Sequence, residues 1–269
     1  MLTLKHLPIN SFNENLAYVH KDCTAYKVDD IRSLTKVEIH GGVKTVFAFL
    51  QVVDDARLCK PGELALNTEA FNQINLPEGA NVSLTLSAPP PSLASIKRKI
   101  AGNILSSGEY SAIINDIASK RYSNMDIASF LVASGSFMSA PEVLALTEAL
   151  IGDRVLHWDN ESIVVDCHCL GGVPGNKTDI IITAIVAAYG LPIPKTCSHS
   201  LTSCAGVADT FAVLANVDVD EKELKELIRE NRGAIASYNS LDIARANKMV
   251  SSVERQIGIT QQEHIAASI

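Results

Sequence analysis

Two short stretches hold most of the residues able to do chemistry. The first, DCHCLGGVPGNKT over Asp166–Thr178, sets two thiols around an imidazole and follows them with adjacent glycines. The second, CSHSLTSCAG over residues 197–206, is rich in hydroxyls. An apolar, β-branched run (SIVVD, 162–166) precedes the first, and LPIPKT (191–196) precedes the second. Helical patterns follow each, over Thr178–Tyr189 and Val207–Leu214. A strand, a Gly-Gly loop and a helix N-terminus form a physical recipe for binding an anion. Glycines let the backbone approach, and unpaired N–H groups face the ligand at the positive end of the dipole. Gly171 and Gly172 are the candidates for that approach; Lys177 adds a charge and Thr178 a hydroxyl. The second loop offers Ser198, Ser200, Thr202 and Ser203. Open α/β sheets bind ligands at the carboxyl ends of their strands, so two such loops side by side make a polar cup suited to phosphate. Neither loop is a Walker A sequence or a full G-x-G-x-x-G fingerprint. A Gly-rich turn and a hydroxyl-rich loop satisfying its own backbone also fit the local sequence.

A metal is the competing chemistry, through Cys167, Cys169, Cys197, Cys204, His168 and His199. Residues 167 and 169 would share a face of a strand. Structural zinc ordinarily shows C-x₂₋₄-C spacing, and no second pair repeats the spacing found here. Thiols acting as small buried hydrophobes are the stronger reading, with a zinc-binding module as the lesser alternative. His168, leaving a strand beside the glycine loop, can donate to a substrate carbonyl or transfer a proton near neutral pH. A satisfied structural histidine fits that position as well.

The framework around these loops reads as a multidomain α/β protein. Residues 1–88 are expected to form a small β-rich barrel or sandwich. Lys44–Val53 and Asn81–Ser87 are short and β-branched, and Gly41-Gly42, Pro61-Gly62 and Pro77-Glu78-Gly79 punctuate the segment as turns. Pro89-Pro90-Pro91 marks a boundary, because a Pro triplet cannot continue a strand ladder. Residues 89–158 then read as a helical bundle, with helices over Ser92–Ile104, Glu109–Arg121, Met125–Phe137 and Pro141–Leu150. Ser139 and Glu142 form a capping-box pair before the last of these. Residues 159–269 alternate strand and helix, the pattern of a parallel α/β sheet. Ala234–Tyr238 supplies a third strand; Glu221–Glu230 and Ile243–Val253 supply helices. The segment HIAASI at 264–269 ends in mid-pattern, so this last domain is expected to be incomplete and the chain part of a longer one.

With 23 basic and 30 acidic side chains the net charge is −7, which gives no electrostatic case for nucleic acid or an anionic membrane. No charged-then-apolar signal opens the chain. The most apolar run, Ile180–Ala188, is too short to span a bilayer. Six cysteines without a secretion signal suit reduced thiols in a cytoplasm.

The run VDCHCLGGVPGNKTDIIITAIVAAYGLPIPKT, followed by CSHSLTSCAGVADT, resembles thymidine phosphorylase and its archaeal relative AMP phosphorylase. The helical stretches GEYSAIINDIASKRYSNMDIASFLVAS and APEVLALTEALI are similar to the AMP phosphorylase branch, which includes bacterial proteins named for thymidine phosphorylase. The resemblance covers essentially the whole chain, is specific at 164–209, and stops short of the family's full length. It implies a nucleoside or nucleotide phosphorylase, in which phosphate attacks the anomeric carbon, the base leaves and a pentose 1-phosphate forms. No cofactor is implied; inorganic phosphate is the co-substrate, and the partners are a nucleoside or nucleoside monophosphate. A homodimer through the helical domain is implied too. His168 matches the family's base-contacting histidine. Gly172 matches a nucleotide-contacting glycine, Ser198, Ser200, Thr202 and Ser203 fall in its Ser/Thr segment, and Leu201 stands where a leucine packs against the base. Arg255 agrees with the related branch, and Ser268 matches a ligand-contacting serine.

The departures are informative. Cys169 stands where a phosphate-binding serine is usual, and Cys197 replaces a serine or threonine. His199 replaces an arginine, and an imidazole cannot copy a permanently charged fork. Val207 replaces a threonine. Asp179 places a carboxylate near the expected anion, repulsive unless it points away. Thr260 occupies the position of the AMP phosphorylase proton donor and has no accessible pKa for that task. A catalytically impaired relative that binds nucleotide or acts as a scaffold is therefore the alternative reading.

Overall fold

The computed structural model describes residues 1–11, 14–23, 36–136, 138–152, 155–158, 161–168, 175–199, 205–238, 240–241, 243 and 245–258. They fall into two compact units: residues 1–91 with 119–124, and residues 92–118 with those from 125 onward.

In the first unit six strands close into a barrel. They are β1 (Leu2–His6), β2 (Leu16–His20), β3 (Lys36–Gly41), β4 (Lys44–Val53), β5 (Glu63–Leu66) and β6 (Asn81–Leu86), in the order β1-β5-β2-β4-β3-β6, with β6 returning to β1. β3 shows why it folds this way. Val37, Ile39 and Gly41 are buried while Lys36, Glu38 and His40 are half-exposed, the period-two pattern of a sheet with one face on a core. Its hairpin to β4 pairs Gly41 with Lys44 across a two-residue loop. Such a tight loop needs a positive φ, which Gly42 supplies at 62°. A helix the strand pattern does not announce, α1 (Thr68–Ile74), packs into this unit. Asn67 is fully buried. Its Oδ1 accepts from Ala70 N at 3.2 Å and from Leu16 N at 3.0 Å, so one amide caps the helix and ties it to β2. Residues 119–124, read from sequence as the end of the helix over Glu109–Arg121 and the joint after it, belong to this unit. Lys120 Nζ donates to Asn15 Oδ1 at 3.1 Å, and Lys36 Nζ to the Tyr122 carbonyl at 2.8 Å.

The second unit begins with four helices, α2 (Leu93–Ile100), α3 (Ser107–Ala118), α4 (Asn124–Ser136) and α5 (Ala140–Ile151), each within a few residues of expectation. Glu142 reaches back to Ser139 N and Oγ, both at 3.0 Å, as the capping pair predicts. Its other oxygen is buried against Lys99 Nζ (2.6 Å), Leu105 N (3.1 Å) and Tyr110 Oη (3.1 Å).

After these come α6 (Asn176–Tyr189), β7 (Ile193–Cys197), α7 (Val207–Phe211), α8 (Glu221–Asn231), β8 (Gly233–Ser237) and α9 (Arg245–Ile257). β7 and β8 pair in parallel, Ile193 opposite Gly233 through Cys197 opposite Ser237. α6 packs on β8, and a Cβ on Gly233 would come within 2.7 Å of Ala187 Cβ. Only glycine permits that approach. α9 packs against α3 and α5. The strand expected at 162–166 is not one: this segment runs beside β7 with a single ladder-type bond, Val165 N to the Pro192 carbonyl at 3.0 Å. The reason lies in its neighbour. Pro192 and Pro194 have no N–H, so that edge of β7 cannot return the donors a ladder needs. Among the described residues no helix is long and apolar enough to cross a membrane.

Candidate functional site

Three elements bring polar side chains together at the carboxyl end of β7. The segment 162–168 carries Asp166 and His168, β7 carries Lys195 and Thr196, and the first turn of α6 carries Asp179. Asp166 Oδ2 lies 2.9 Å from His168 Nε2. On the other side of the ring, His168 Nδ1 is 3.4 Å from Lys195 Nζ. The ammonium in turn lies 3.5 Å from Asp179 Oδ2. That last contact is an ion pair rather than a hydrogen bond, since Asp179 Oδ2 has no hydrogen-bond donor. The Lys195 and Asp179 side chains are almost fully buried, at 2% and 6% exposure, whereas His168 keeps 27% and Asp166 35%. The cluster is thus closed on the lysine side and open to solvent on the histidine side.

A lysine ammonium only donates, and a carboxylate only accepts. The geometry is satisfied when His168 Nδ1 accepts from Lys195 and Nε2 donates to Asp166. Asp179 points inward to the lysine, which answers the concern that its carboxylate would repel an anion at the helix terminus. Its place in the first turn of α6 also suits the positive end of that helix.

Among the described residues Cys23, Cys59, Cys167 and Cys197 are free thiols. Burial pushes the Cys197 thiol up to about 12, with the Asp166, Asp179 and Asp209 carboxylates adding to it and Lys195 opposing. Its Sγ donates to the Ala236 carbonyl at 3.4 Å. Burial, and then the Asp179 charge, raise the Cys167 thiol as well. Both behave as small packing groups. Among the described residues no group of three or more His, Cys, Asp or Glu side chains could hold a metal ion; Cys169 and Cys204 lie outside them.

On the second loop His199 Nδ1 is 2.6 Å from Asp209 Oδ1, and Asp209 Oδ2 accepts from Gly206 N at 2.8 Å. The backbone therefore anchors the carboxylate and the carboxylate orients the imidazole. Val207, where the resemblance implies a threonine, is buried in a core cluster with Cys197, Ala208, Val217 and Ile235.

Of the residues singled out from sequence, His168 joins the cluster and Ser198 and His199 lie half-buried just beyond β7. Lys177 and Thr178 are exposed on the first turn of α6. Arg255 is exposed on α9, close enough for its charge to act on Tyr238 beyond β8. Gly171, Gly172, Ser200, Leu201, Thr202, Ser203, Thr260 and Ser268 lie outside the described residues. Sequence reasoning missed Lys195, Asp166 and Asp209 as parts of the site. The one signal for Lys195 was a lone lysine inside an otherwise apolar, proline-flanked strand.

Comparison with known proteins adds an independent line. Residues 94–152, which span α2 to α5, match the helical bundle domain of the glycosyl transferase family. A protein of Methylococcus capsulatus named "Putative thymidine phosphorylase" is 42% identical over 270 residues, covering 100% of this chain and 52% of the relative. Proteins of the same name from Albidiferax ferrireducens (37%) and Rhodopseudomonas palustris strain BisB18 (40%) show the same coverage. The chain is homologous to these proteins along its whole length. It spans about half the length of the curated relatives it matches. Among solved structures, anthranilate phosphoribosyltransferase from Thermus thermophilus superposes with a TM-score of 0.52 at 17% identity, over 65% of this chain and 55% of that one. At that identity the likeness is one of fold.

Proposed function

We propose that the chain is a pentosyltransferase of the phosphorylase type, cleaving the N-glycosidic bond of a nucleoside or nucleoside monophosphate with inorganic phosphate to release the base and a pentose 1-phosphate. The observation that carries this is the 42% identity over the whole chain to a relative named for thymidine phosphorylase. The polar cluster at the carboxyl end of β7 supports it, because a parallel strand end beside a helix N-terminus is where such folds hold ligands. In this reading phosphate sits between the two loops, on Gly171, Gly172, Lys177, Thr178 and the hydroxyls of 198–203, while His168 faces the base. Leu201, Arg255 and Ser268 complete the ligand's surroundings. Positioning phosphate for in-line attack and stabilising the departing base are the two tasks of the site. No cofactor takes part, the protein acts in the cytoplasm, and two copies associate through α2–α5, within a division of the chain near residues 88 and 158.

Phosphorolysis of thymidine, uridine, cytidine, AMP and CMP, followed by release of free base, tests the reading. The expected result is turnover of at least one substrate that depends on phosphate. No sugar phosphate from any of them, with a relative of twice the length active in parallel, removes the catalytic claim for this chain. A second reading, nucleotide binding without turnover, draws support from His199. Its ring is held by the Asp209 carboxylate at 2.6 Å, which sets a negative charge where an anion would seek a positive one. Tight binding by calorimetry without base release decides for it.

A further inference from the structure

We propose that Lys195 is a positioning residue for His168: its ammonium, held by Asp179, keeps Nδ1 of the ring an acceptor and leaves the single ring proton on Nε2, so that His168 offers a ligand only a donor.

The inference rests on the reading that His168 faces the substrate, and adds to it which atom faces it and what that atom can recognise. The Lys195 side chain is 2% exposed, and among the described residues His168 Nδ1 at 3.4 Å and Asp179 Oδ2 at 3.5 Å are its polar contacts. Its buried place in the middle of β7 needs a reason, because a buried ammonium is costly unless paired. Asp179, from the first turn of α6, supplies the counter-charge. The ammonium then has donors to spare, and Nδ1 is the acceptor within reach. A proton on Nδ1 would face that ammonium donor to donor, so the geometry excludes it. Asp166 Oδ2, 2.9 Å from Nε2, takes the remaining ring proton. Asp166 and His168 are both partly open to solvent, so an incoming acceptor can share or displace the Nε2–H bond without disturbing the buried side. Among the described residues, the charged and titratable groups around the ring are Asp166 and Cys167 from its own segment, Lys195 from β7 and Asp179 from α6.

The chemical consequence is selectivity. A ring that presents only N–H pairs with a carbonyl oxygen and not with an exocyclic amino group. A base that shows a keto oxygen toward the segment 166–168 is accepted, and one that shows an amino group there leaves two donors facing each other.

Nuclear magnetic resonance of ¹⁵N-histidine-labelled protein, using long-range ¹H–¹⁵N correlations, reads the tautomer directly. His168 is assigned from the signals lost in His168→Gln. The expected pattern is an unprotonated Nδ1 and a protonated Nε2. Lys195→Met alone leaves Asp179 as a buried carboxylate without its cation, so the test uses Lys195→Met with Asp179→Asn, which removes both charges together. In that variant Nδ1 is expected to take up a proton. A wild-type proton on Nδ1, or a double variant that keeps the wild-type pattern, overturns the proposal. The kinetic arm expects kcat/KM for the nucleoside to fall on the order of 100-fold in the double variant, as for a misplaced catalytic contact. KM for phosphate is unchanged, and Lys195→Arg recovers part of the loss. An altered tautomer with unaltered kcat/KM overturns the link to catalysis. If the wild-type chain shows no phosphorolysis at all, the proposed reaction fails, and the resonance pattern still decides the role of Lys195.

Discussion

Glu142→Gln is the sharpest test of what holds the second unit together. The Glu142 and Lys99 side chains are each 1% exposed, and the carboxylate accepts from five donors on Lys99, Leu105, Tyr110 and Ser139. Burial alone would raise its pKa. The ammonium and the backbone donors outweigh burial and bring the carboxyl from its ordinary 4.5 down to about 2. Through linkage a difference of that size is worth about 3 kcal/mol of stability near neutral pH. Glutamine keeps the shape but removes the negative charge 2.6 Å from the buried Lys99 ammonium and turns an NH₂ toward groups that already donate. Breaking one partner of a buried pair costs about 3–5 kcal/mol, in line with the linkage figure. The sign with pH follows from the lowered pKa. The stabilisation is complete above about 4.5 and is lost as pH falls toward 2. Chemical denaturation followed by helical circular dichroism, at pH 7 and in steps down to pH 3, measures the gap between wild type and variant. That gap is expected to be widest at pH 7 and to close on acidification. A gap under about 1 kcal/mol at pH 7, the worth of an exposed pair, would falsify the reasoning, as would a gap that does not change with pH. The consequence reaches the candidate site, because α5 and α3 are the surfaces on which α9, carrying Arg255, rests.

Two further outcomes are expected. Gly233→Ala forces a methyl to within 2.7 Å of Ala187 Cβ between β8 and α6, so unfolding experiments should show a loss of about 1–3 kcal/mol, the usual range for overpacking; a neutral effect would mean α6 shifts freely on the sheet. Cys197, pushed up to about 12 by burial, and Cys59, fully buried with its thiol raised mainly by burial, should stay unmodified when native protein is treated briefly with iodoacetamide at neutral pH and digested for mass spectrometry. Rapid labelling of either one would show that its surroundings open.

Local patterns carried most of the fold. The helices α2 to α6 and α8 follow from apolar spacing and caps that act within a few residues, and the hairpin at Gly42 follows from a turn that needs positive φ. The strand misread at 162–166 shows the limit. Its composition is that of a strand, but a ladder needs donors from the neighbour, and the neighbour's prolines have none. The helix α1 escaped the alternation read for residues 1–88, though Asn67 and Glu69 stand where a cap and an acidic first turn belong.

By itself the sequence determined that an imidazole, glycines and hydroxyls gather in two short stretches, one before α6 and one before α7, because those are matters of residue type and spacing. It could not determine what faces the imidazole. Lys195 and Asp179 stand 27 and 11 positions beyond His168 in the chain; the run of the segment 162–168 beside β7 brings the ammonium to Nδ1, and α6 brings the carboxylate that holds it. The protonation pattern of a histidine depends on groups within a few ångströms in space, and that distance is set by tertiary structure.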